Sequence, residues 1–157
     1  MSTRLEAGVD TSATLDRAWE VLVDWVGQAR WVPLTTLQVR SEHDAGLGVR
    51  IAALSGFWLG RLPVGLLDNF VVTGWRPPSD GQAELEVLHL GPYFTGEGVF
   101  GLTAVAGGTQ VRCVELFTVP GGRLTNAVVP LALPLMRAGF GASLRAFAAV
   151  AEGRRGA

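Results

Sequence analysis

Residues 121–152 carry the sequence GGRLTNAVVPLALPLMRAGFGASLRAFAAVAE, and this stretch decides the fold. Large apolar side chains recur at intervals of three and four residues, which places them on one face of a helix. These residues are Leu133, Met136, Phe140, Leu144 and Phe147. Arg137, Arg145 and Glu152 fall roughly opposite. The pattern predicts a helix of roughly 30 Å with one side to bury.

Two prolines, Pro130 and Pro134, lie four residues apart in this helix. Each removes a backbone N–H that an α-helix uses. We therefore expect the helix either to be kinked here or to begin near Pro130. A kink would tilt one end of the helix away from whatever it covers and so form an entrance.

Most of the chain before this helix is predicted to be strand. Residues 4–9 alternate polar and apolar, as a half-buried strand does. A short helix follows, with Leu15, Trp19, Leu22 and Val26 on its apolar side, and a second short turn covers residues 28–31. Further strands are predicted at 37–40, 47–53, 66–76, 82–90, 93–105 and 109–119.

The segment 55–65 is harder to assign, because it combines Phe57 and Trp58 with three glycines. It is predicted to be a long loop or a broken strand. The order of elements is thus strand, helix pair, six antiparallel strands and long helix. That order predicts an α+β fold in which a curved sheet packs against helices on one face, with room left between them.

Composition narrows the class of protein. The 157 residues suit one domain, 1–157, and 48% hydrophobic residues with 17% charged residues indicate a globular chain. The net charge is −1, all 13 cations are arginine, and no basic block marks a nucleic-acid partner. The longest apolar run, 127–136, is too short for membrane insertion. The start lacks a signal-peptide core, and the single Cys113 suits a reducing cytoplasm.

Several local strings occur in an order typical of a known family. They are AW at 18–19, WVP at 31–33, GLGVR at 46–50, DNFVVTGWRPP at 68–78, HLG at 89–91 and TQVRCVE at 109–115. The chain resembles the polyketide cyclase/dehydrase and lipid-transport group of the SRPBCC superfamily. That group has the START-like helix-grip fold. Its sheet of about seven antiparallel strands wraps around a long C-terminal helix, and two short helices follow the first strand.

The resemblance implies an internal cavity that holds a hydrophobic small molecule. Two classes of function stay open. One is a cofactor-independent cyclase, aromatase or dehydratase that acts on a polyketide-like chain. The other is a non-catalytic carrier or sensor of a lipid, terpenoid or polyketide. Formation of a homodimer is also left open.

Strand alternation selects the polar groups that face such a cavity. His89 shares a face with apolar residues of its strand, as do Glu115 and Asp68. We hypothesise that His89 is a general acid or base and that Glu115 or Asp68 orients it or relays a proton. We expect burial to draw the pKa values of these groups towards neutrality. The alternative is a buried hydrogen-bonded group that only holds strands in register.

Aromatic and small residues complete the predicted site. Ligand contacts are expected from Trp31, Phe57, Trp58, Phe70, Phe100, Phe117, Met136 and Phe140. Trp31, Phe57 and Trp58 are the candidates for the cavity mouth, and Gly96 and Gly98 are expected to leave space inside. No metal site is predicted, because His43 lies in a turn and His89 is the only other histidine.

Overall fold

A computed structural model of the protein describes residues 2–59 and 61–154, with side chains at 57–59, 62–63 and 123–128 left out of the description. The seven strands are β1 (Thr3–Thr11), β2 (Thr35–Val39), β3 (Arg50–Leu59), β4 (Leu62–Ser79), β5 (Gln82–Pro92), β6 (Thr95–Val105) and β7 (Gly108–Thr118). The helices are α1 (Leu15–Val23), a 3₁₀ helix (Val26–Arg30) and α2 (Gly122–Ala151). The predicted α+β class and element order are confirmed.

All seven strands form one antiparallel sheet in the order β1-β7-β6-β5-β4-β3-β2. The first strand pairs with the last, so β1 and β2 are the two edges. Every other neighbour in the sheet is also a neighbour in sequence, which short hairpin turns make possible. One face of the sheet is apolar, and the helices lie on that face.

The two short elements after β1 bury one side of the sheet. Thr14 caps α1 by accepting a hydrogen bond from the N–H of Arg17. Trp19 packs edge-on against Trp75 of β4, with ring centroids 5.1 Å apart. The sequence pattern predicts that Val26 continues this apolar stripe, but Val26 is exposed because α1 ends at Val23 and the chain turns into the 3₁₀ helix.

Of the two alternatives predicted for 55–65, the broken strand agrees with the structure and the long loop does not, because β3 and β4 form a hairpin here. Strand pairing continues to Leu59 and Leu62 at its end. The glycines that suggested a loop lie in this ladder, where Gly56 pairs with Gly65. Strand β4 also continues through Pro77 and Pro78, which were expected to end it.

Helix α2 spans 30 residues and is longer than the predicted rod of roughly 30 Å. It begins at Gly122 rather than near Pro130, and it contains both prolines. Pro130 and Pro134 are exposed, so water can satisfy the carbonyl groups that lose a partner. Burial rises along the helix. Leu131 is 81% exposed and Leu135 is also exposed, whereas Leu144 and Phe147 are each 1% exposed. Among the α2 residues whose side chains are described, those that belong to the core therefore lie in the second half of the helix.

The position of α2 leaves a gap over the middle of the sheet. Among the described residues, its backbone approaches β1, α1 and the 3₁₀ helix, and none of the central strands. Its C-terminal end is attached to β1 by Glu152, which accepts hydrogen bonds from Thr11 Oγ1 at 3.1 Å and from the N–H of Ser12 at 3.0 Å. The bond from Ser12 and the neighbouring Arg154 lower the pKa of Glu152 to about 2.

Within the part of the chain that the structure describes, no helix combines the length and the hydrophobicity that a membrane span requires.

The burial gradient along α2 predicts unequal effects of one substitution. We expect Leu144→Ala to lower the free energy of unfolding by about 2–5 kcal/mol, because it leaves a cavity in the packed end of the helix. Leu131→Ala, which removes the same atoms from an exposed position, should change it by less than about 0.5 kcal/mol. Urea unfolding of both variants is the measurement, and equal effects would contradict this description of α2.

Candidate functional site

A cavity of about 750 Å³ lies between the sheet and α2. Its wall is mainly apolar, because the strands turn their aliphatic and aromatic side chains to this side. Aromatic lining residues are Trp25, Trp31, Phe70, Tyr93, Phe94, Phe100, Phe117 and Phe140. Exposed lining residues mark the opening to solvent, namely Leu66 of β4, Tyr93 before β6 and Met136 of α2. The mouth therefore lies beside the exposed half of α2.

Six of the residues predicted to contact a ligand line this cavity: Trp31, Phe70, Phe100, Phe117, Met136 and Phe140. The sequence predicts that Trp31 lies at the cavity mouth. The structure buries it instead: Trp31 is 5% exposed and packs edge-on against Phe147, with ring centroids 5.2 Å apart. Phe57 and Trp58 lie outside the residues whose side chains are described. Ligand contact by any of these residues stays a prediction.

The three predicted polar residues meet in the cavity wall. Asp68 lies on β4, His89 on β5 and Glu115 on β7. His89 Nδ1 is 3.0 Å from Asp68 Oδ1 and 2.8 Å from Oδ2, and His89 Nε2 is 3.2 Å from Glu115 Oε2. All three side chains are 10–15% exposed. The imidazole is thus held between two carboxylates.

Glycine on the intervening strand makes this arrangement possible. Strand β6 lies between β5 and β7, where Gly96 pairs with His89 and Gly98 pairs with Glu115. Glu115 lies two strands across and two residues along from His89, so their backbones are about 12 Å apart. A Cβ at Gly98 would lie 2.7 Å from both carboxylate oxygens of Glu115. The sequence predicts that Gly98 leaves space in the cavity. In the structure, the Glu115 carboxylate occupies the space beside Gly98.

The surroundings of His89 determine its charge. Its ring lies 5.7 Å from that of Phe70 and 5.1 Å from that of Phe94. Burial by itself would lower the pKa of His89, but the hydrogen bonds and charges of Asp68 and Glu115 outweigh it and raise the pKa to about 9. The expectation that burial would draw this pKa towards neutrality is wrong. At neutral pH the side chain is an imidazolium.

Cys113 lies close to this group but is unsuited to act as a nucleophile. Its Sγ is 3.8 Å from Glu115 Oε1. Burial, together with the Glu115 carboxylate, raises the pKa of the thiol well above its usual value. Among the described residues, no group of three or more His, Cys, Asp and Glu has the arrangement of a metal site.

Comparison of the structure with solved proteins identifies its architecture. TTHA0849 from Thermus thermophilus superposes with a TM-score of 0.74 at 15% identity, over 96% of this chain and 98% of that one. The Zhui aromatase/cyclase from Streptomyces sp. R1128 gives 0.70 at 16%, over 97% and 94%. The protein has the helix-grip fold. StfQ, a di-domain ARO/CYC from the steffimycin biosynthetic pathway, gives 0.73 at 12%, over 98% of this chain and 52% of that one.

At these identities the helix-grip neighbours establish the fold and nothing further. No protein-family model matches the sequence, and no curated protein sequence matches it either.

The helix-grip cavity also contains groups that sequence analysis missed. Phe94 precedes β6, whereas the sequence predicts a strand that already includes it. Nothing in the sequence pattern therefore indicates that Phe94 contacts His89. Thr35 and Ser55 both line the cavity, and their hydroxyl oxygens are 2.6 Å apart. They belong to paired residues of β2 and β3. Period-two alternation in these strands would have placed both on the inner face, had residues 55–65 been predicted as strand.

The raised pKa of His89 predicts a titration at unusually high pH. We expect its ring resonances in NMR spectra to titrate with a midpoint near pH 9. The ring resonances of the exposed His43 serve as the internal comparison. Because the folded-state pKa exceeds the unfolded value, the contribution to stability is complete below about pH 6.5 and is lost as the pH rises through 9. That contribution is on the order of 3 kcal/mol. Asp68→Asn should lower the midpoint, whereas Asp80→Asn in the exposed β4–β5 turn should not.

A methyl group at Gly98 should separate Glu115 from His89. We expect Gly98→Ala to push the carboxylate out of hydrogen-bond range and so to lower the pKa of His89. Gly101→Ala is the matched control, since a Cβ on that glycine of the same strand meets no atom within 4 Å. NMR titration of both variants is the measurement. An unchanged midpoint in Gly98→Ala would contradict the proposed role of this glycine.

Proposed function

We propose that this protein binds a hydrophobic small molecule in its cavity and transforms it by acid–base chemistry, as a polyketide cyclase, aromatase or dehydratase. One observation supports this most directly. An imidazolium held between two carboxylates forms part of the wall of an apolar cavity of about 750 Å³. Charged groups are costly to bury in such surroundings, and their presence favours a functional role over a purely structural one.

The size and lining of the cavity suit this class of substrate. Ligand sites typically occupy roughly 300–1,000 Å³ and combine apolar walls with a few polar groups. Here the charged groups cluster on β4, β5 and β7, while Phe140 and Met136 of α2 contribute apolar lining.

The chemistry proposed needs no cofactor. In a poly-β-ketone, each methylene between two carbonyls is acidic. Glu115 would remove one such proton, and the resulting enolate carbon would form a bond to a carbonyl carbon further along the chain. The His89 imidazolium would supply the proton for that carbonyl oxygen. Glu115 would then pass the proton it has taken up to the neutral imidazole, which restores the imidazolium. Loss of the new hydroxyl with a second methylene proton releases water.

Each residue of the group then has a distinct role. Asp68 contacts Nδ1 through both carboxylate oxygens, so it orients the ring and keeps it protonated. Glu115 contacts Nε2 at 3.2 Å, the longer of the two interactions. Rotation of Glu115 towards substrate would free the Nε2–H to donate, which couples the base to the acid.

Non-catalytic binding is the second candidate function. It is favoured by the fact that both ring nitrogens of His89 already have carboxylate partners. Without rotation of Glu115, the group would only anchor a ligand.

In either case we propose a cytoplasmic protein, because the lone Cys113 suits a reducing compartment. A homodimer stays a prediction that light scattering can test.

Activity assays separate the two candidates. With a poly-β-ketone substrate, we expect His89→Gln and Glu115→Gln each to lower the rate by about 10²-fold or more, the usual contribution of a positioned acid or base. Glu97→Gln, an exposed position on β6, is the matched control and should retain the rate. Native mass spectrometry of each purified variant reports whether ligand binding survives.

The outcomes are distinct. Loss of turnover with retained binding supports catalysis by the group. A bound hydrophobic molecule with no turnover in the unmodified protein supports the carrier. Unchanged turnover in both His89→Gln and Glu115→Gln would overturn the catalytic proposal, and the absence of any hydrophobic ligand would overturn both.

A further inference from the structure

We infer that the cavity selects an uncharged ligand bearing hydroxyl groups, the enol hydroxyls of a β-dicarbonyl chain included, and excludes amphiphiles that end in a carboxylate or a phosphate. This inference rests on the proposed binding of a small molecule in the cavity and specifies its class. It follows from the charges that line the cavity and from the direction of the hydrogen bonds among its polar groups.

The charges in the cavity wall disfavour an anion. Asp68 and Glu115 contribute two carboxylates against the single imidazolium of His89, and the one further titratable residue among the described lining residues is Tyr93 at the mouth. No arginine lines the cavity in the part of the chain that the structure describes. A carboxylate or phosphate would therefore be desolvated beside a net negative group and would find no guanidinium partner.

The hydroxyl pair on β2 and β3 is arranged to accept hydrogen bonds. Thr35 Oγ1 is 3.0 Å from the carbonyl oxygen of Pro33, which can only accept. The single proton of Thr35 is used there, so the 2.6 Å contact requires Ser55 to donate to Thr35. Ser55 then has no proton left, and its oxygen lone pairs are available to a ligand that donates.

A hydroxyl group on the opposite wall also uses its proton within the protein. Ser143 of α2 lines the cavity and donates to the carbonyl of Gly139 at 3.2 Å. Its oxygen, like that of Ser55, can only accept from a ligand. Carboxylate oxygens of Asp68 and Glu115 are acceptors as well. Four polar side chains on two walls therefore favour a ligand with O–H donors.

A hydroxyl group satisfies these lining oxygens because it donates its proton to one of them. A carboxylate or phosphate ester presents acceptor oxygens, so it cannot make the same hydrogen bonds.

Three probes of nearly equal size test the inference. They are 2-naphthol, which is neutral and donates, 2-methoxynaphthalene, which is neutral without a donor, and 2-naphthoate, which is anionic. By isothermal titration calorimetry at pH 7, we expect 2-naphthol to bind about tenfold more tightly than either of the others, the equivalent of one good hydrogen bond.

Two substitutions test which side chains produce the preference for 2-naphthol. Ser55→Ala should reduce the advantage of 2-naphthol over 2-methoxynaphthalene by roughly threefold to tenfold, and Ser79→Ala, at the far end of β4 from the cavity, should not. Glu115→Gln removes one negative charge and should improve binding of 2-naphthoate by about tenfold, whereas Glu97→Gln should leave it unchanged.

Failure of this inference is distinguishable from failure of the proposed function. If 2-naphthoate binds as tightly as 2-naphthol or more tightly, the selectivity is overturned while ligand binding in the cavity stands. If 2-methoxynaphthalene equals 2-naphthol, the acceptor-based part is overturned. If none of the three probes binds, ligand binding itself is overturned, and the inference with it.

Discussion

Helix α2 packs against the edge strand β1 and the short helices rather than against the centre of the sheet, and this offset is the constraint on which the rest of the structure depends. A helix laid across the central strands would bury their apolar face and leave no cavity. Here Leu144 and Phe147 supply the packing that stabilises the helix, while the residues before them cover space. Stability and function are thus divided between the two halves of one helix.

Within that space, the imidazolium of His89 depends on three strands at once. Asp68, His89 and Glu115 come from β4, β5 and β7, and the glycines of β6 let the side chains meet above the backbone. Removing either carboxylate would leave a buried charge less well compensated, which is why such groups respond strongly to single substitutions. The site therefore depends on correct register across four strands, not on a flexible loop.

Much of this architecture was accessible from sequence, because period-two and helical patterns report which side of an element is buried. Those patterns placed His89, Glu115 and Asp68 on apolar faces of their strands. They could not show that Glu115 spans β6, since pairing between strands is a long-range property. At 55–65 the sequence leaves both a long loop and a broken strand open, because glycine is depleted in strands, although the pairing of Gly56 with Gly65 tolerates it. Burial alone lowers the pKa of His89, and its rise depends on contacts with two carboxylates whose distances the sequence does not give.

The attachment of the C-terminal end of α2 to the start of the chain has a mechanical consequence. Glu152 fastens the C-terminal end to Thr11 and Ser12, and the adjoining turns are packed, so that end behaves as a fixed pivot. Leu131 and Leu135, further from the pivot, are exposed, so their displacement would cost few buried contacts. A small rotation about the pivot would be magnified along the length of the rod. Such a rotation would widen the aperture while Leu144 and Phe147 stay packed.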